Sequence, residues 1–82
     1  MIKVVFFAAL REQLECNELT IKSENITTIA DLKKQLASKD KLWQTLFSNT
    51  SLLSAVNHDM VDNEHPINSG DEVAFFPPVT GG

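Results

Sequence analysis

The chain has 82 residues and a formal net charge of -4 at pH 7. A chain of this length buries only about 60% of the surface that its unfolded form exposes, which leaves room for one hydrophobic core and one domain. Hydrophobic residues make up 43% and charged residues 22% of the sequence, a composition that excludes wholesale disorder. The basic residues are few and scattered, which argues against nucleic acid as a partner because phosphate binding needs clustered Lys and Arg.

The few cysteine and histidine residues argue against disulfide bonds and metal sites. Cys16 is the one cysteine, so the sequence allows no intrachain disulfide, and a reducing cytoplasm is the expected location. His58 and His65 fall in no metal-ligand spacing, so no metal site is expected. The apolar run VVFFAAL near the N-terminus is far shorter than a membrane span and lacks the features of a signal peptide. It favours a strand, and no membrane partner is expected.

The first elements in chain order are two strands and two helices. Residues 2–9 are rich in β-branched and aromatic types and predict a central strand, with 18–22 as an antiparallel partner after a short turn. Thr28 followed by Asp31 resembles a capping box and opens a helix predicted over 28–38. A second, short helix is predicted for KLWQTLF, where apolar residues recur four positions apart.

The C-terminal half is predicted to supply the remaining strands. Gly70 can take a positive φ in a turn, and Pro77 cannot donate to a sheet ladder, so regular pairing should stop there. The predicted pieces are a strand at 52–57, a turn over NHD, edge pieces at 60–61 and 64–67, a turn at 68–71 and a last strand at 72–76.

This element order predicts an α+β fold in which one main helix lies across a single mixed sheet. It is the β-grasp, or ubiquitin-like, pattern, in which the first and last strands lie side by side in the middle and run parallel. The domain is predicted to occupy residues 1–76. An extended tail, residues 77–82, would leave from the centre of the sheet's end.

Alternation along the central strands places two aromatic residues on the face opposite the helix. Lys3 and Glu72 mark the outward side, so Phe7 and Phe76 share it. Two explanations stay open for these exposed aromatics. Either loop residues such as Leu10 fold over them, or they anchor a protein interface.

The tail reads PPVTGG. A terminal carboxylate becomes reactive only after activation, for instance as an acyl adenylate, and must then enter another protein's active site. Gly81 and Gly82 have no Cβ and can pass through a narrow channel, while Pro77 and Pro78 favour an extended start. With Val79 and Thr80, the six residues reach at most about 20 Å. The tail is therefore predicted to insert into the active site of another protein.

Three stretches carry a family resemblance: MIKVVFFAALRE, LLSAVNHDMV and GDEVAFFPPVTGG. They resemble the small, sulfur-carrying subunits of molybdopterin synthase, which are ubiquitin-like proteins. The similarity covers nearly the whole chain, and the final thirteen residues are far more specific than a diglycine alone. Residues 15–50 add little to it.

The resemblance implies that an ATP-dependent activating enzyme adenylates Gly82, which is then converted to a thiocarboxylate with sulfur from a donor such as a cysteine desulfurase. The tail would insert into the large subunit, which supplies the catalytic groups, so the chain would be no enzyme on its own and would hold no permanent cofactor. Two sulfur transfers to cyclic pyranopterin monophosphate would build the dithiolene of molybdopterin. The assembly implied contains two small and two large subunits.

The resemblance also implies contacts with the large subunit. Arg11 could instead be a solvated charge, and Met60 a core residue. Gly81 and Gly82 match the family's tail. The residues that match as contacts with the large subunit are Phe7, Arg11, Met60 and Phe76.

Other functions use the same scaffold. A sulfur carrier of thiamine synthesis or tRNA thiolation and a covalent protein modifier remain alternatives with shorter tails, and a plain binding module would leave the tail unexplained. The longer tail FFPPVTGG favours the molybdopterin pathway.

Overall fold

The structure is a computed structural model that describes residues 1–49 and 51–78. Within them, five strands form one mixed sheet in the order β2-β1-β5-β3-β4, so the predicted α+β class is confirmed. The elements are β1 (Ile2–Phe6), α1 (Ala8–Leu14), β2 (Glu18–Ile21), α2 (Ile29–Ala37), α3 (Lys41–Phe47), β3 (Leu53–Val56), β4 (Asp59–Val61) and β5 (Glu72–Phe76).

The centre of the sheet is built by the first and last strands. β1 runs parallel to β5, with Val4 opposite Val73, as predicted. β2 pairs antiparallel with β1, and β3 pairs antiparallel with both β5 and β4. The named strand β5 ends at Phe76, immediately before Pro77, whose ring nitrogen has no hydrogen to donate.

A helix that the sequence reading missed follows β1. The strand predicted over 2–9 is wrong beyond Phe6, because Ala8 takes a left-handed φ of 56° that turns the backbone out of the sheet. α1 then buries Leu10 and Leu14, which are four residues apart on one helical face. This helix replaces the predicted short turn before β2, and the described chain has three helices rather than one main and one short helix.

α2 matches the helix predicted over 28–38 and has the expected cap. The Thr28 hydroxyl accepts a hydrogen bond from the Asp31 backbone N–H at 3.3 Å. The Asp31 carboxylate reaches back to Thr27, accepting from its N–H at 3.0 Å and its hydroxyl at 2.8 Å. The hydrogen bond from the Thr27 hydroxyl is the main cause that lowers the pKa of Asp31.

The short helix predicted for KLWQTLF is also confirmed as α3. Asp40 caps it by accepting a hydrogen bond from the Trp43 N–H at 3.0 Å. The edge strand expected at 64–67 is wrong: Pro66 forms one isolated bridge with Thr28, because a proline can support little ladder pairing.

The core lies between one face of the sheet and the helices. Its aromatic centre includes Phe47, whose ring stands edge-on to Phe75 at 5.2 Å between centroids. Ser54 is buried on this face, and its hydroxyl has no hydrogen-bond partner among the described residues. The largest fully buried side chains are Phe6, Phe75, Ile2, Ile29, Leu32, Leu36, Val4 and Val73.

None of the helices in the described part of the chain combines the length and the apolarity that crossing a membrane requires.

Candidate partner-docking groove

The sheet face opposite the helices carries a groove with a volume of about 270 Å³. Strand register explains its floor, because Val5 lies opposite Ala74, Ala74 opposite Ala55, and Ala55 opposite Met60. The predicted placement of Phe7 and Phe76 on this face is confirmed. The lining residues are Val5, Phe7, Ala55, His58, Met60, Glu72, Ala74 and Phe76.

The groove is apolar and open to solvent at its Phe7 end and along its β4 side, where Met60 lies. Phe7 is 47% exposed and Met60 58% exposed, although both are large hydrophobic residues. The explanation in which Leu10 covers the aromatics is wrong, since Leu10 is 2% exposed and belongs to the core. The alternative of Met60 as a core residue is also wrong, because Met60 pairs with Ala55 on the outward side. This apolar part of the groove is therefore an uncovered surface of the kind that marks protein interaction sites.

The other end of the groove is charged. The Glu72 carboxylate lies 3.6 Å from Lys3 Nζ and 3.7 Å from His58 Nε2. Lys3 also lies 3.4 Å from a carboxylate oxygen of Glu18. The pKa of Lys3 is raised, first by its side-chain interaction with Glu18 and then by the negative charges of Glu18 and Glu72.

A tight turn holds His58 at this charged end. Asn57 and His58 join β3 to β4 with φ values of 49° and 76°, the left-handed pattern of a type I′ hairpin turn. The Asn57 side chain accepts a hydrogen bond from the Glu72 N–H at 3.0 Å and donates one to Asp71 at 3.1 Å. These hydrogen bonds fix the turn to the beginning of β5. His58 occupies a backbone conformation that favours glycine.

The predicted tail begins at the apolar end of the groove. The Phe7 N–H donates to the Phe75 carbonyl at 3.1 Å and holds the ends of β1 and β5 together. After Phe76, which lines the groove, come Pro77, half-buried, and Pro78, exposed. The residues named for the chemistry, Val79, Thr80, Gly81 and Gly82, lie outside the described residues, so their roles stay predictions.

Comparison with protein families decides where this chain belongs. The model of the ThiS family matches residues 4–82. The chain belongs to the ThiS family.

Curated relatives of this ThiS-family chain carry one name. The molybdopterin synthase sulfur carrier subunit of Escherichia coli (strain K12) is 44% identical over 82 residues, which covers all of both chains. The protein of the same name from Haemophilus influenzae is 37% identical, again over the full length of both. The resemblance noted in the sequence is therefore confirmed.

Solved structures similar to this ThiS-family chain confirm the β-grasp fold. SAMP1 from Haloferax volcanii superposes with a TM-score of 0.81 at 21% identity, covering 99% of this chain and 98% of that one, and shows the fold alone. A Helicobacter pylori structure, described as a complex of subunits 1 and 2 of molybdopterin-converting factor, matches with a TM-score of 0.68 at 28% identity, covering 99% and 97%.

Arg11 is the one predicted contact that the groove does not include. It lies exposed on α1, where its N–H donates to the Phe7 carbonyl at 3.4 Å, and within residues 1–49 and 51–78 its side chain has no salt-bridge partner. Its role as a partner contact stays a prediction, as do those of Phe7, Met60 and Phe76.

The two polar residues of the groove lining, Glu72 and His58, were missed as candidate site residues. Alternation had placed Glu72 on the outward face, but only as a marker of that side. His58 reaches the groove through the β3–β4 turn and the pairing of β3 with β5. The pairing joins residues that are distant in sequence, so the sequence around His58 carries no signal for it.

Proposed function

We propose that this ThiS-family chain is the sulfur carrier subunit of a molybdopterin synthase. The observation that carries the proposal is the 44% identity, over the whole of both chains, with the Escherichia coli protein of that name. The groove adds a physical argument, since an exposed apolar surface directly beside the predicted tail suits a carrier that docks on a second subunit. The Helicobacter pylori relative, solved as a complex of subunits 1 and 2, supports the same mode of assembly.

The large subunit is the proposed occupant of the groove. Phe7, Met60 and Phe76 offer exposed or half-exposed hydrophobic area, and buried aromatic residues near the centre of an interface dominate binding free energy. Because Pro77 follows Phe76 directly, a subunit seated on the groove lies next to the start of the tail. Residues 77–82 then reach at most about 20 Å into that subunit.

The proposed chemistry takes place at the carboxylate of Gly82. In the activating enzyme, a carboxylate oxygen attacks the α-phosphorus of ATP, which forms the acyl adenylate and releases pyrophosphate. Sulfide sulfur then attacks the acyl carbon and AMP leaves, which gives the thiocarboxylate. Gly81 and Gly82 leave the acyl carbon free of side-chain crowding.

Sulfur transfer completes the proposed cycle in the large subunit. The thiocarboxylate gives its sulfur to cyclic pyranopterin monophosphate, and water returns the carrier to a carboxylate. Two such rounds supply both sulfur atoms of the dithiolene. The small subunit carries the reacting group, and the large subunit supplies the catalytic side chains.

The decisive experiment follows the sulfur by intact mass. Incubation with the activating enzyme, ATP and sulfide should raise the mass by about 16 Da, because sulfur replaces oxygen at the acyl carbon. The product, mixed with the large subunit and the pterin precursor, should then yield molybdopterin.

Deletion of Gly82 is the control variant. It should abolish both the mass gain and the transfer while the unfolding temperature stays unchanged, because the residue follows the last strand, β5. A wild-type chain that gains no sulfur, or a deletion variant that still transfers it, would refute the proposal. A covalent adduct with a lysine of another protein under these conditions would instead support a protein modifier.

A further inference from the structure

Glu72 stands out in the groove because its carboxylate has no close donor. The side chain is 35% exposed, and its nearest side-chain nitrogens are Lys3 Nζ at 3.6 Å and His58 Nε2 at 3.7 Å. Both distances exceed those of a hydrogen bond. The Glu72 carboxylate is thus held by two long side-chain contacts, while its backbone N–H donates to Asn57 at 3.0 Å.

Neither neighbouring side chain, Lys3 or His58, is held tightly against Glu72. Lys3 lies closer to Glu18, at 3.4 Å, and its side chain is 51% exposed. The His58 side chain is 89% exposed, so water surrounds most of the ring. Exposed ion pairs of this kind contribute little and rearrange easily.

Covering the groove changes the environment of Glu72. A subunit seated on Phe7, Met60 and Phe76 would also remove water from the carboxylate, because all four residues line the same groove. Removing water from an ionised carboxylate is unfavourable unless a close donor replaces the water, and the two present contacts of Glu72 are long. A partner that closes this groove therefore needs a donor opposite Glu72.

We infer that Glu72 is a specificity-determining residue of the docking groove, and that it accepts hydrogen bonds from a cationic side chain, arginine or lysine, of the large subunit. The inference rests on the proposed function. The net charge of -4 on the chain agrees with a partner whose facing surface is basic.

The position of Glu72 gives this contact a defined role. Glu72 and Phe76 are the first and last residues of β5, so about 13 Å of strand separates the acidic end of the groove from the aromatic end. A partner that matches both ends can seat in one orientation only. That orientation places the beginning of the tail, at Pro77, beside the same region of the partner each time.

The test compares four variants for binding to the isolated large subunit by titration calorimetry. Glu72→Gln should raise the Kd about tenfold, because it removes the charge that the partner's cation neutralises. Glu18→Gln is the matched control: it makes the same exchange at the other carboxylate beside Lys3, outside the groove lining, and should change the Kd less than about threefold.

Lys3→Met separates the partner's cation from an internal one. If the donor comes from the partner, removal of Lys3 leaves the Kd unchanged or lowers it, since a competing cation is gone. If Lys3 itself moves onto Glu72 when the groove closes, Lys3→Met weakens binding as much as Glu72→Gln does, and the inference is overturned. Wild-type affinity in Glu72→Gln overturns it as well.

Two measurements keep these outcomes separable. Glu72→Asp retains the charge and should weaken binding less than Glu72→Gln does. If Glu72→Gln fails to fold, Glu72→Asp replaces it as the test of the contact. An unchanged Kd in Glu72→Asp then counts against the contact. A wild-type chain that acquires sulfur and binds the large subunit, together with variants that bind equally well, defeats the inference alone. A wild-type chain that neither acquires sulfur nor binds the large subunit refutes both the proposed function and the inference about Glu72.

Discussion

Phe75 and Phe76 are neighbours in one strand, yet they lie in opposite environments. Phe75 is fully buried, with its ring edge-on to Phe47 at 5.2 Å. Phe76 points the other way and lines the open groove. The residue type is the same, so its role depends on which face of the sheet the helices cover. In this fold the helices bury one face and leave the other open.

The two faces also differ in how they are filled. On the covered face, β1 and β5 place large side chains next to each other, such as Phe6 and Phe75 at 6.4 Å between ring centroids. On the open face, the middle row consists of Ala74 and Ala55, with Phe7 and Met60 at the rim. Small residues beneath large ones create a concave surface, whereas the core is packed to high density.

The largest expected effect tests the covered face. Phe75→Ala should lower the free energy of unfolding by about 3–5 kcal/mol, because it leaves a cavity among packed aromatic rings. Urea denaturation of the isolated chain measures it. A loss below about 1 kcal/mol would mean that the core collapses around the gap or that Phe75 is less tightly packed than its full burial indicates.

Phe76→Ala should separate binding from stability. We expect the binding free energy for the large subunit to weaken by about 2 kcal/mol, with a much smaller change in unfolding than for Phe75→Ala. Leu42→Ala is the matched control, since Leu42 is 48% exposed on α3 and lies outside the groove lining. Titration calorimetry on both variants decides the point, and equal affinities would refute the role of Phe76 as an anchor.

A smaller effect, of opposite sign, is expected at the turn beside the groove. His58→Gly should raise the free energy of unfolding by about 0.5–1 kcal/mol, because glycine adopts the left-handed φ of 76° without a steric penalty. The lost contact with Glu72 is solvent-exposed and contributes little. Thermal unfolding checks it; a lower unfolding temperature would show that the histidine stabilises the turn.

The smallest effect concerns the helix that covers the core. Hydrogen bonds from Thr27 lower the pKa of Asp31 in the folded chain, so the stability they contribute is present above the unfolded-state pKa. It is lost as the pH falls through the folded-state pKa. Urea unfolding of wild type and Asp31→Asn should therefore differ at neutral pH and converge in acid. A difference that persists below the folded-state pKa would exclude this linkage.

Most of the fold could be predicted from local patterns. Period-two alternation located β5 and assigned its faces, and the spacing of Ile29, Leu32 and Leu36 located α2. α1 was missed because Ala8 continues an apolar, strand-like run, and alanine carries no sign of its left-handed φ. Leu10 and Leu14, four residues apart, were a helical signal that the strand prediction obscured.

The groove was predicted only in part, for a different reason. The faces of Phe7 and Phe76 follow from alternation within their own strands. The cluster of Lys3, His58 and Glu72 depends on which strands become neighbours, since three separate segments meet there. The β1–β5 pairing that brings Lys3 to Glu72 followed from the predicted fold pattern, whereas the β3–β5 pairing that brings His58 there is set by packing across the whole chain.

The parallel pairing of β1 with β5 has a kinetic consequence. Val5 and Ala74 lie side by side in the floor of the groove although nearly the whole chain separates them in sequence. Contacts of such long range form late in folding, because chain entropy is lost before they stabilise anything. Helices and the β3–β4 hairpin can form earlier without creating the groove. A partner that binds through this surface therefore binds only chains in which β1 and β5 have paired, and does not bind partly unfolded chains.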